Sequence, residues 1–189
     1  MAQDQGRIVM LKSLLHGQIR SMESAYGYDA TYFHDIVDAS TAAAVKFALL
    51  TPMSNHCNGV PKDAWYAAKL AGALSEDCGP CTQLCVDMAV KGGVETGKLA
   101  ALIRGDIDAA GTDAALGFRY GIAVATNSDA ILPLVDQVRA RYGERGLVSL
   151  AFVVTSARMY PTLKRALGHG MTCTKIVVSD QPIAVRRAA

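Results

Sequence analysis

Apolar residues recur at helical spacing through most of the chain and almost nowhere at strand spacing. From Arg7 to Arg20 the apolar positions are Ile8, Leu11, Leu14, Leu15 and Ile19, three or four residues apart, which predicts an amphipathic helix. A second such stretch runs from about Tyr32 to Leu50. TPMSNHCNG (51–59) then interrupts the pattern with Pro, Asn and Gly. Pro61 and Asp63 suit a helix N-terminus, and Trp65, Leu70 and Leu74 carry its apolar face toward Ser75. The next helix is expected to include the cysteines at 78, 81 and 85 and to end at Gly92-Gly93. Further helices are expected over Val94–Arg104, over Thr112–Ala125, and from a cap at Asn127 or Ser128 to Gly143. The last covers Leu147 to about Leu167, with a kink at Pro161. Only Thr174 to Val178 reads as a strand, and the VRRAA tail as loose. The prediction is an all-α fold, with an N-terminal helical extension over 1–60 and a helical core over 61–189.

Composition agrees with that picture. The chain of 189 residues is 51% apolar but only 6% aromatic, so its core is built from small and aliphatic side chains, which suit closely packed helices. Nineteen basic and seventeen acidic residues leave a formal charge of +2, too weak a field to point to nucleic acid or a membrane surface as partner. Lys46, Arg119 and Arg158 interrupt the richest apolar segments, so no bilayer-spanning run is expected. The first twenty residues lack an uninterrupted apolar core of the secretory kind. A cytoplasmic location is the expectation, and there five cysteines read as free, catalytic or metal-bound rather than as a disulfide framework.

Three of those cysteines fall in EDCGPCTQLC (76–85). On a helix turning about 100° per residue, Cys78, Cys81 and Cys85 lie on one stripe roughly 60° wide. Cys78 and Cys81, one turn apart, are at a separation that a disulfide tolerates. The CGPC tetrapeptide is shared with thioredoxins, but the residues before it, AWYAAKLAGALS, are helical in pattern where thioredoxin needs a buried strand. A helix N-terminus favours thiolate, while Glu76 and Asp77 oppose it, so the expectation is a resting thiol with Glu76 as its base or proton store. Two other readings weigh against redox chemistry. One is a zinc site in which His56 or Cys57 joins the stripe; the other is a set of structural core cysteines.

The CxxC opening a helix, followed by KGGVETGKLAALIRGD and DAALGFRYGIAVATN, resembles the carboxymuconolactone decarboxylase family and, within it, its alkylhydroperoxidase AhpD-like members. The similarity covers roughly 61–167. It implies a thiol-dependent peroxide or disulfide reductase that needs no metal or organic cofactor. Electrons would come from an external thiol reductant, and the protein would be a homo-oligomer (dimer, trimer or hexamer). It also implies that Cys81 attacks the peroxide and Cys78 resolves. The family's relay histidine falls at Cys85 and its relay glutamate at Tyr66, so Glu76 is the substitute acid and Cys85 a candidate third thiol. The cysteine-free decarboxylase branch is disfavoured by the pair itself.

Overall fold

In the computed structural model, which describes residues 2–170 and 175–185, helices account for nearly all regular structure, as the periodicity predicts. The chain forms two compact units, 1–52 and 53–189. The first contains α1 (Ala2–Tyr26), α2 (Thr31–Ala39) and α3 (Thr41–Ala48). The apolar stretch from Tyr32 to Leu50 is therefore two helices rather than one. Ser40 adopts an extended conformation between them, and its Oγ accepts the Ala43 N–H at 3.2 Å to cap α3. Around Tyr32 and Val37 the unit is buried, whereas Ile8, Val9, Met10 and Leu14 of α1 are exposed.

The division between units falls within a single-turn helix, α4 (Thr51–Ser54), in the segment expected to be irregular. The second unit continues with α5 (Lys62–Ser75), α6 (Gly79–Lys91), α7 (Thr96–Arg104), α8 (Thr112–Thr126) and α9 (Ile131–Ala166), with one 3-10 turn (Asp108–Ala110) between α7 and α8. The break expected at Gly143 is present: this residue has φ 69° and ψ −176°, and α9 is two helical runs joined there. Such a conformation is essentially confined to glycine. Pro161 lies inside the second run and is buried.

Two strands, β1 (Lys175–Val178) and β2 (Gln181–Ala184), pair antiparallel, Ile176 opposite Ile183. Ser179 and Asp180 both have positive φ, the geometry of a tight hairpin turn. Thr174 and the end of the expected loose tail (186–189) lie outside the described residues. Among the described residues no helix is long and apolar enough to cross a membrane.

Helix α5 is the hub of the second unit. It packs on α6, α8 and α9, and every residue from Ala67 to Ala73 is buried. One face joins Leu70, Cys85, Leu99, Ile103, Ile176 and Ile183 in one cluster; the other joins Trp65, Ala68, Leu150, Val153 and Val154 in a second. Its alanines let neighbouring backbones approach. A Cβ placed on Gly117 of α8 would sit 2.1 Å from the Ala64 carbonyl oxygen, and one on Gly121 2.7 Å from the Ala71 Cβ. Gly117→Ala is therefore expected to lower unfolding stability by about 1–3 kcal/mol. A Cβ on Gly97 meets nothing within 4 Å, so Gly97→Ala is expected to be neutral or to gain up to about 1 kcal/mol. Urea denaturation of both variants checks the contrast, and equal midpoints would refute the close approach of α5 and α8.

Candidate thiol site

The corner between α5 and α6 is made by Glu76, Asp77 and Cys78. Asp77 has φ 50° and turns the chain. Cys78 is extended and occupies the N-cap of α6, which begins at Gly79. The helix thus starts one residue later than expected, and Cys78 stands at its mouth rather than inside it. Pro80 sits in the first turn, where an amide hydrogen has no intrahelical acceptor to lose. The Cys78 carbonyl accepts from both the Thr82 N–H and the Thr82 Oγ1, each at 2.9 Å. Those two bonds fix the orientation of the corner.

Cys78 Sγ and Cys81 Sγ are 2.7 Å apart, hydrogen-bonded, with both thiols free and buried. The sequence expectation that these two sulfurs meet is realised. Their protonation differs from expectation. The Cys81 thiol, hydrogen-bonded to Cys78, pulls the Cys78 pKa down; burial opposes this, but the Cys81 backbone and the cations of Lys164 and Arg165 add to it, and the result is about 6. The shift runs toward the thiolate, opposite in direction to the resting thiol expected from Glu76 and Asp77.

The acid next to it in sequence is committed elsewhere. Arg158 Nε donates to Glu76 Oε1 at 2.8 Å and Arg165 Nη2 to Oε2 at 2.5 Å. Thr162 Oγ1 lies 3.1 Å from Oε2, and Arg165 Nη1 donates to the Glu76 carbonyl. Burial alone would raise the Glu76 pKa, but the bonds from Arg165, Arg158 and Thr162 outweigh it and hold the carboxyl below its ordinary value. Glu76 is ionised and saturated with donors. It anchors α9 to the corner; the role of base or proton store expected of it finds no support in this geometry.

Cys85 lies one turn beyond Cys81 on α6, inside the core with Leu70, Val86 and Leu99. Burial pushes its pKa up to about 11 despite the nearby Lys69, so it is a neutral core thiol. Lys69 itself is buried, 4.7 Å over the Trp65 ring and 3.8 Å from Met88 Sδ, and burial lowers its pKa. Tyr66 lies against Gly92, where an added Cβ would overlap its ring. His56 meets the edge of Phe152, and its carbonyl accepts the Trp65 Nε1–H at 2.8 Å. Cys57 is exposed, and partial burial raises its pKa. Among the described residues no group of three or more His, Cys, Asp and Glu side chains is arranged to hold a metal ion, and Cys173 lies outside those residues.

Arg158, Lys164 and Arg165 escape the sequence reading because they reach the corner from α9, more than eighty residues away. Their only local signal is a helix whose last turn is basic, Lys164 and Arg165. No protein-family model, curated protein or solved structure matches the chain significantly.

The Glu76 anchor has a pH signature. With the folded pKa lowered, the stability it contributes is present above the unfolded carboxyl value of about 4.3 and is lost as pH falls through the folded one. Because both arginines are partly exposed, Glu76→Gln is expected to cost only about 1–2 kcal/mol at pH 7. That cost should shrink toward pH 3. Urea midpoints of wild type and variant across this range test it, and a difference that does not vary with pH counts against the anchor.

Proposed function

We propose that the protein is a thiol oxidoreductase of the AhpD-like kind, in which Cys78 and Cys81 cycle between dithiol and disulfide while reducing a hydroperoxide or a disulfide. The observation that carries this reading is the 2.7 Å contact between the two sulfurs, and the lowered pKa of Cys78 supports it. Cys78 attacks one peroxide oxygen as the O–O bond breaks. The departing alkoxide takes a proton from solvent, and Cys78 is left as a sulfenic acid. Cys81 then attacks Cys78, water leaves, and the disulfide forms. Two electrons from an external thiol reductant restore the pair, with no metal or organic cofactor in the cycle.

The family resemblance gives the attack to Cys81. The lowered pKa of Cys78 supports the opposite assignment, and Cys78 is the nucleophile proposed here. With Cys78 only 2% and Cys81 5% exposed, the site suits a small hydroperoxide better than a protein disulfide. The reading places the protein in the reducing cytoplasm, where cysteines are more often free or catalytic than structural disulfides. Self-association as a dimer, trimer or hexamer is part of this reading through the family resemblance. The same burial of the sulfurs favours, as a second reading, a helical oligomer whose cysteines are structural.

Thiol chemistry separates the two. Iodoacetamide is expected to label one thiol rapidly, with a rate that rises through about pH 6 and is lost in Cys78→Ser. Mild peroxide should consume two thiols per chain in the wild type. In Cys81→Ser it should stop at a sulfenic acid on Cys78, trapped by dimedone. Peroxide turnover with a dithiol reductant should fall on the order of a thousandfold or more in Cys78→Ser. Equal slow labelling of all cysteines, with no peroxide-dependent thiol loss, would favour the structural reading.

A further inference from the structure

We propose that His16 and His34 share one proton between their Nδ1 atoms, and that the pair is a pH-sensitive latch joining α1 to α2. The latch is closed only while the two imidazoles together carry a single positive charge. It belongs to the unit 1–52 and does not depend on the thiol chemistry.

The two Nδ1 atoms are 2.6 Å apart, with ring centroids 4.9 Å apart and ring planes 18° from parallel. The centroid spacing exceeds the nitrogen contact by about two ring radii, so the rings meet edge to edge and nitrogen faces nitrogen. The opposite edges are also engaged. His16 Nε2 is 3.2 Å from Asp38 Oδ1, and His34 Nε2 is 3.3 Å from Glu23 Oε2. One continuous chain results: Asp38, His16, His34, Glu23.

Counting protons along it fixes its charge. An imidazole nitrogen either donates or accepts, and an ionised carboxylate only accepts. Both Nε2 atoms must therefore carry hydrogen, and exactly one of the two Nδ1 atoms must. Three protons on four ring nitrogens make one neutral histidine and one imidazolium. With one proton fewer, a lone pair faces a lone pair or a carboxylate. With one more, two N–H groups face each other across the gap. Either change breaks a contact.

The surrounding charges hold the ends in place. Lys12 of α1 donates to Asp38 Oδ1 at 2.8 Å, and this bond leads the causes that keep the Asp38 carboxyl below its ordinary range. The second Glu23 oxygen accepts the Ala30 N–H at 3.1 Å. Asp35 follows His34 on α2; Arg7 and Arg20 of α1 and Lys46 of α3 form no ion pair among the described residues. The histidine side chains are only 18% and 23% exposed, so the contact between the rings and the bond to Glu23 are part-buried, whereas Asp38 at the other end faces solvent.

The test is imidazole nitrogen NMR and amide hydrogen exchange on the full chain across pH 4–9. Expected in the closed state are two protonated Nε2 atoms, two Nδ1 signals averaged over one shared proton, and coupled titration of both rings. Amides of α1 near His16 should be most protected, relative to the intrinsic exchange rate at each pH, at intermediate pH and about tenfold less protected on either side, the loss of one charge-assisted hydrogen bond. His34→Asn places a non-titrating amide where Nδ1 lies, and the pH optimum of protection should vanish; His16→Asn is the matching check. Two rings titrating independently in the wild type would overturn the latch, whether or not the variants fold. So would an unchanged optimum of protection in folded His34→Asn.

Discussion

Because any Cβ at Gly117 or Gly121 would enter α5, α5 and α8 are held at a spacing that only glycine and alanine surfaces allow. Close helix contact of this kind gains its energy from dispersion and area burial at high packing density, not from large side chains. It explains a core rich in Ala67, Ala68, Ala71 and Ala73 with few aromatic rings. It also fixes the direction in which α5 ends, and hence where the Glu76–Cys78 corner stands between α6 and α9. The thiol site inherits its geometry from backbone packing several turns away.

At that corner two effects compete for Cys78. Removal from water favours the neutral thiol, whereas the Cys81 thiol, the Cys81 backbone and the cations of α9 favour the thiolate, and the second group wins. Cys85, one turn further along α6, meets the first effect with too little of the second and stays neutral. Sulfurs on one face of one helix thus differ in chemistry because only the helix mouth receives both hydrogen bonds and the α9 charges. Glu76 contributes indirectly. By binding Arg158 and Arg165 it keeps α9 against the corner while holding its own negative charge on guanidinium groups.

How much of this was legible in the chain follows from the range of each interaction. Helices whose apolar periodicity and caps are local, such as Lys62–Ser75 and Thr112–Thr126, lie within a residue of where the pattern puts them. Apolar residues continue at helical spacing on both sides of Ser40, and only its cap to Ala43 marks the break. The second strand was invisible because Gln181-Pro182 reads as a strand breaker. In the structure Pro182 stands opposite Val177 in a hairpin that is two-stranded among the described residues, where a missing amide hydrogen is tolerated. The pairing of Cys78 with Cys81 could be read from spacing. The protonation of Cys78 could not, since it depends on residues of α9, and the acids adjacent in sequence suggested the opposite sign.

On the thiol-exchange reading, the interactions that lower the Cys78 pKa have a second effect. A disulfide sulfur carries no charge, so the hydrogen bonds and cations that stabilise the thiolate are weakened when the pair oxidises. They favour the dithiol over the disulfide, and a dithiol stabilised in this way makes its disulfide more oxidising. The same low pKa makes Cys78 a better leaving group when a reductant attacks Cys81, although it makes the thiolate intrinsically less nucleophilic toward peroxide. A site with these electrostatics is therefore biased toward fast recovery of its reduced form. That bias comes from Lys164 and Arg165 at the end of α9, and the Glu76 carboxylate holds Arg165 to the corner.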